Sequence, residues 1–268
     1  MPVSIPPALD AQRGNGPDWA GWLDRLPRLA ADVVEEWGLT PDGESMHGAC
    51  SLVLPVRTTG RAPAVLKLTY DGDDESEHEG LALQRWGGRG VVRLLRADPH
   101  RRALLLERLH TEDLSDLWDV EACEVVGGLY SRLHVPALPQ LRTLTSYVAR
   151  WTDDLQRMPR NAPIPRRLVE QATALARSFV VDDASTGTMI HGDLHYANVL
   201  SADREPWLVI DPKPMSGDPT TSRRRCCGTG GTSWPATSAA ACADASTRWS
   251  TPPASTRTAP ATGSWCGW

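Results

Sequence analysis

Between Ile190 and Pro212 the chain reads IHGDLHYANVLSADREPWLVIDP, and no other stretch restricts the fold so strongly. His191, Gly192, Asp193 and Asn198 spell H-G-D-x-x-x-x-N, which sets an acid and an amide five residues apart on one loop. The apolar run Trp207-Leu208-Val209-Ile210 follows. It reads as a short buried strand that delivers Asp211 at its mouth. Phosphoryl transfer asks for such a set: a proton acceptor beside the attacking hydroxyl, and two oxygen donors that hold magnesium on the ATP phosphates. The pattern points to a kinase.

Composition narrows the setting. A chain of 268 residues can hold one large domain or two modest lobes. There is no apolar run of about 18 residues, so no membrane partner is expected. The N-terminus, MPVSIPPALDAQRGNGPDW, lacks the charged start and apolar centre of a signal peptide, and a cytoplasmic location is expected. No nucleic-acid partner is expected, and the sequence sets no oligomeric state. Residues 1–220 hold 23 of the 28 basic and 32 of the 33 acidic residues, a net charge of −9 that suits a cationic substrate. Lysine occurs only at Lys67 and Lys213, against 26 arginines. That bias resembles GC-rich coding, and it makes each retained lysine a functional candidate.

Periodicity orders the elements. Residues 17–37 carry Trp19, Trp22, Leu23, Leu26, Leu29, Val33 and Val34 at helical spacing, and Pro27 is expected to kink or split that helix. Ser51–Val56 and Ala64–Leu68 read as strands joined by a hairpin-like turn. The acidic run from Asp71 favours a helix near 74–86 through the helix dipole. Val91–Leu95 and Ala103–Glu107 supply two further strands around the turn Asp98-Pro99-His100. Segments 120–134, 143–158 and 166–181 then read as helices. A small strand-rich part precedes helices that carry the loop.

In these residues the chain resembles the aminoglycoside phosphotransferase family, in its streptomycin 6-kinase and hydroxyurea-kinase branch. H-G-D-L-H-x-x-N-V-L and the following I-D-P carry the resemblance, which spans roughly residues 18–220. It implies an α+β, two-lobed protein-kinase-like fold: a nucleotide-binding β-lobe in 1–108 that includes the N-terminal helical segment, and a helical lobe in 109–220 with the catalytic and metal loops. It implies ATP-dependent O-phosphorylation of a small hydroxylated antibiotic, most readily the cationic aminoglycoside streptomycin. Hydroxyurea or another small metabolite is the alternative, as is an impaired product that only binds nucleotide.

The roles follow residue by residue. Asp193 is the expected catalytic base, and Asn198 and Asp211 the expected ligands of Mg2+, which prefers hard oxygen donors. Asn198 alone could instead cap a turn. Lys67 resembles the lysine that grips the α- and β-phosphates, with Glu79 as its ion-pair partner and Glu75 and Glu77 as alternatives. Gly48 and Ser51 belong to H-G-A-C-S, where backbone amides could bond phosphate oxygens in a small nest. Glu107-Arg108-Leu109 lies where the resemblance puts an adenine-binding hinge. His191 suits loop orientation better than chemistry, whereas His195 could sit near phosphate or simply pack. Gly192 replaces the arginine of many protein kinases, and Pro212-Lys213 replaces Phe-Gly; both departures favour a small-molecule acceptor.

The segment 221–268 does not match this body. It contains no Val, Ile, Leu, Met, Phe or Tyr, one acid (Asp244), five arginines, four cysteines and four tryptophans. Without large aliphatic residues it is expected to be disordered. Codons compatible with Arg225–Pro235, read one base out of frame, give Pro-Leu-Leu-Trp-Asn-Arg-Trp-Asp-Glu-Leu-Ala. That is an amphipathic helix start of the kind the family carries after Gly-Asp-Pro, here Gly217-Asp218-Pro219. A frameshift near Thr220 is therefore expected, and it would remove helices that wall the substrate pocket. Resequencing across the Thr220 codon should reveal one base change that restores a long apolar-periodic frame; if no single change does so, the tail is natural.

Overall fold

Alternation of side chains builds the N-terminal sheet. In the computed structural model, which describes residues 3–220, Ser51–Arg57 and Pro63–Thr69 pair antiparallel in the register Leu52↔Leu68, Leu54↔Leu66 and Val56↔Ala64. These six apolar residues are all buried, and Leu52, Leu54, Val56, Leu66 and Leu68 join one core with Trp22, Leu23, Leu26, Ala30 and Val33 of the helix Pro17–Glu36. A strand alternates its side chains with period two, so Lys67 lies on the face opposite Leu66 and Leu68. The full sheet runs Thr40–Pro41, Ser51–Arg57, Pro63–Thr69, Ala103–Glu107, Leu94–Asp98, with Met46–His47 added beside Ser51–Arg57.

Pro27 does not split the first long helix, although splitting is one of the two outcomes expected of it. Pro17–Glu36 is a single element of 20 residues with Pro27 inside it. An interior proline costs about 3 kcal/mol. Five buried side chains on one face, each worth on the order of 1.5–3 kcal/mol for the larger ones, outweigh that cost.

Two other elements move from their expected places. The helix anticipated near 74–86 is divided into a 3-10 turn, Asp74–Ser76, and an α-helix, Glu79–Trp86. Asp73 accounts for the division, because its carboxylate accepts from the Glu75 amide and the Ser76 hydroxyl and so closes a turn of its own. The strand anticipated at Val91–Leu95 lies at Leu94–Asp98, with an irregular register between Leu94 and Arg96. Val91 instead forms a parallel bridge to Val209.

Contacts divide the described chain into two units, one holding 3–111 and 200–211, the other 112–199 and 212–220. Thus the Trp207–Val209 strand and Asp211 belong with the N-terminal sheet. The second unit holds the helices Asp119–Leu133, Leu144–Arg157 and Arg166–Val180, close to their expected bounds. It also holds a small sheet ordered Met215–Gly217, Thr188–Ile190, Val135–Pro136. Its buried side chains include Val126, Leu129, Leu133, Met189, Ile190 and Leu194. The architecture is two-lobed α+β, with a small N-terminal sheet and a mainly helical second lobe. Among the described residues no helix is long and apolar enough to cross a membrane. The expectations for 221–268 lie outside the described residues.

Candidate functional site

In the first unit, a buried lysine joins two carboxylates. The Lys67 ammonium donates to both carboxylate oxygens of Glu79, at 2.8 and 2.7 Å, and to Asp211 Oδ1 at 2.5 Å. Glu79 is therefore the acid on Lys67. Side-chain exposure is 7% for Lys67 and 2% for Glu79, so neither ion keeps a hydration shell. Burial alone would lower the Lys67 pKa; the charges of Asp211 and Glu79 outweigh it and hold the ammonium above its ordinary value. The lysine is locked in its charged form.

Local structure explains why Glu79 reaches it. Glu79 opens the Glu79–Trp86 helix, and Ala82, Leu83 and Trp86 bury the same helix. A Cβ on Gly80 would lie 3.1 Å from Leu104 Cδ2, and Leu104 is the cross-strand neighbour of Lys67. Glycine at that position lets the helix lie close to the sheet beside the lysine. Asp211 arrives from the Trp207–Val209 strand with φ +53°, a left-handed backbone that aspartate tolerates better than most residues.

The other residues expected on the nucleotide side are more committed than the sequence suggested. The Gly48 amide donates to the Ser51 carbonyl at 2.9 Å, closing a turn, and Ser51 is a buried strand residue. The Glu107 carboxylate accepts from Arg204 at 2.6 and 3.2 Å and from the Arg93 amide at 2.7 Å. Neighbouring Arg108 ties Asp42 at 2.8 Å and the carbonyls of Val56 and Ala64, pinning three sheet segments together. Sequence reasoning placed Arg108 in the expected hinge for its backbone alone and assigned Arg204 no part; apart from Glu205, the partners of both side chains lie far along the chain, where no local pattern marks them.

In the second unit, the H-G-D loop follows the buried strand Thr188–Ile190. His191 is 1% exposed, and its Nδ1 accepts from the Asp193 amide at 3.3 Å, so the ring orients the loop as expected of it. The chain then makes the 3-10 turn Tyr196–Asn198. Tyr196 is buried, with its hydroxyl 3.6 Å from Cys123 Sγ. The Asn198 Nδ2 donates to the Asp193 carbonyl at 2.9 Å. That bond uses the donor end of the amide and leaves its oxygen as the end suited to a hard cation. An amide oxygen and a carboxylate are each hard donors of the kind magnesium takes.

Gly192 is required by its backbone. Its φ is +78°, and a Cβ there would collide with the Lys213 carbonyl and lie 2.9 Å from the Met215 side chain. The Lys213 amide bonds the His191 carbonyl at 2.8 Å, so the chain after Pro212 runs directly against the loop. No arginine could occupy this position.

Comparison with known proteins gives the family. A model of the aminoglycoside/hydroxyurea antibiotic resistance kinase family matches residues 36–222. The streptomycin 6-kinase of Streptomyces glaucescens is 40% identical over 224 residues, covering 81% of this chain and 72% of that protein. The hydroxyurea phosphotransferase of Kitasatospora aureofaciens is 39% identical over 229 residues, covering 81% of this chain and 66% of that protein. A choline/ethanolamine kinase family protein from Mesorhizobium loti shares the fold, with a TM-score of 0.54 at 15% identity over 74% of this chain and 69% of its own. The fold and the matches define a small-molecule phosphotransferase class. This chain belongs to the aminoglycoside/hydroxyurea antibiotic resistance kinase family.

The close approach at Gly192 yields a direct test. Gly192→Ala should lower the unfolding free energy by about 2–4 kcal/mol, combining left-handed backbone strain with overpacking against a carbonyl. Chemical denaturation measures it, and a change below about 0.5 kcal/mol would contradict the stated geometry.

Proposed function

We propose that this protein transfers the γ-phosphoryl group of ATP to a hydroxyl of a small cationic antibiotic, with streptomycin the favoured acceptor. The observation that carries the reading is the Lys67–Glu79–Asp211 ion cluster, found in a chain that also holds the His191–Asn198 loop. Family membership supplies the reaction class, and the relatives named for streptomycin and for hydroxyurea are almost equally similar, at 40% and 39% identity. Charge favours the cation: residues 1–220 carry a net −9, which draws a positively charged acceptor toward the protein.

The mechanism assigns each side chain one task. The Asp193 carboxylate accepts the proton of the acceptor hydroxyl as its oxygen attacks the γ-phosphorus. The bond from that phosphorus to the β–γ bridging oxygen breaks, and ADP departs with the electron pair. The Lys67 ammonium neutralises the α- and β-phosphates, and Glu79 aims it. Asn198 and Asp211 would hold magnesium, which when bound offsets phosphate charge as it shifts toward the leaving group. His191 sets the loop through the Asp193 amide and takes no proton. Because phosphoryl transfer demands mainly positioning and charge, these few groups suffice.

A second reading has its own support. The family match ends at residue 222, where the aliphatic composition also stops. A product changed in that region would keep the nucleotide-binding groups of 1–220 and lose substrate contacts. Magnesium-dependent ADP release, measured with streptomycin, hydroxyurea and no acceptor, separates the readings. Acceptor-dependent release that falls about 10²–10⁴-fold in Asp193→Asn supports the proposed mechanism. Release unaffected by that substitution would overturn it. ATP-induced thermal stabilisation without turnover would favour the second reading.

A further inference from the structure

The Leu200–Asp211 segment carries the proposed metal aspartate, and one side chain holds it to the sheet unit through four hydrogen bonds. Arg204 makes five hydrogen bonds. Its Nε donates to Glu107 Oε2 at 3.2 Å; Nη1 donates to the Gly88 carbonyl and Glu205 Oε1, both at 2.7 Å; Nη2 donates to the Val91 carbonyl at 3.0 Å and Glu107 Oε1 at 2.6 Å. A guanidinium has five N–H donors, so the fork is full. Its side chain is 24% exposed and that of Glu107 20%, which limits screening by water and raises the value of a bidentate pair above that of a surface ion pair.

The partners matter as much as the number. Gly88 and Val91 belong to the stretch to which the Trp207–Val209 strand is also bonded, through Val92 N–H to the Val209 carbonyl at 2.8 Å and Val209 N–H to the Gly90 carbonyl at 3.0 Å. At the start of the segment, the His110 amide donates to the Ser201 carbonyl at 3.0 Å. Glu107 ends the Ala103–Glu107 strand, whose Leu104 pairs with Lys67. Arg204 therefore ties the segment that presents Asp211 to the same strand network that presents Lys67. Such an anchor fixes where the carboxylate stands relative to the ammonium, which Lys67 alone could satisfy in several arrangements.

We propose that Arg204 is a positioning residue for Asp211: through Glu107 and the Gly88 and Val91 carbonyls it sets the carboxylate in the place where magnesium is bound with ATP. The inference rests on the reading of Asp211 as a magnesium ligand given above. A lysine cannot replace it, because a single ammonium reaches neither two carboxylate oxygens and two carbonyls at once nor the planar geometry they define.

The measurement is the magnesium enhancement of ATP affinity, the ratio of dissociation constants by calorimetry without and with magnesium, which needs no acceptor. Arg204→Met should reduce the enhancement about tenfold or more, Arg204→Lys should recover only part of it, and Glu107→Gln, which keeps shape but removes charge, should fall between wild type and Arg204→Met. Arg101→Met serves as the control, since Arg101 makes similar ion pairs with Glu36 and Asp98 in the same unit. It should lower thermal stability and leave the enhancement unchanged. A purely structural Arg204 would weaken ATP binding equally in both conditions, and an unchanged ratio in Arg204→Met overturns the inference. An equal loss in Arg101→Met overturns it too. Asp211→Asn distinguishes the two failures: if it reduces the enhancement while Arg204→Met does not, the positioning role alone fails; if neither does, the magnesium role of Asp211 fails with it.

Discussion

A buried ammonium between two carboxylates is the constraint on which the rest of this molecule turns. Removing an ion from water costs several kcal/mol even after relaxation, and Lys67 is repaid only while Glu79 and Asp211 both remain in contact. That demand reaches through the N-terminal unit. It requires Lys67 on the face of its strand away from Leu66 and Leu68, a helix close enough to present Glu79, and a segment from residues 200–211 that returns Asp211 to the sheet. The cluster is weak evidence for stability. A hydrophobic residue would fill the position at lower cost, and the phosphate contact proposed above gives the buried charge a use.

The second unit solves a different problem, holding a loop rigid without a large element to carry it. Buried His191 bonds the Asp193 amide, Asn198 bonds the Asp193 carbonyl, and the Lys213 amide closes onto the His191 carbonyl. The backbone around Asp193 is thereby held on both sides while its carboxylate remains the acidic group of the loop. Gly192 makes the closure possible, because any side chain there would strike the Lys213 carbonyl. The departure from the arginine of protein kinases thus has a steric cause in this chain.

Local patterns were legible in the sequence, and distant pairings were not. The β-like runs Ser51–Val56 and Ala64–Leu68 located the strands Ser51–Arg57 and Pro63–Thr69, and the rarity of lysine singled out Lys67. The five-residue spacing of Asp193 and Asn198 is one turn of loop, and the structure shows those two residues bonded. Pro27 did not split its helix because propensity is a local cost, whereas the burial of Trp22, Leu26 and Val33 is settled by the whole core. Val91 and Val92 misled because apolarity reports burial without naming the partner; they are buried beside Val209 and do not extend the sheet's edge strand. Arg204 left no signal at all. Its partner Glu107 lies 97 residues away, and nothing in S-A-D-R-E-P sets it apart from an exposed loop charge.

The central claim is that Lys67 lies at the phosphates of bound ATP, and the composition of the chain permits an unusually clean test of it. Only two lysines are present, Lys67 and Lys213. An acyl-phosphate derivative of ATP transfers its acyl group to an amine held beside the phosphates, and peptide mass spectrometry identifies the acceptor. The account predicts acylation at Lys67 that excess ATP with magnesium suppresses. Acylation confined to Lys213, or labelling of Lys67 that nucleotide does not suppress, would contradict it.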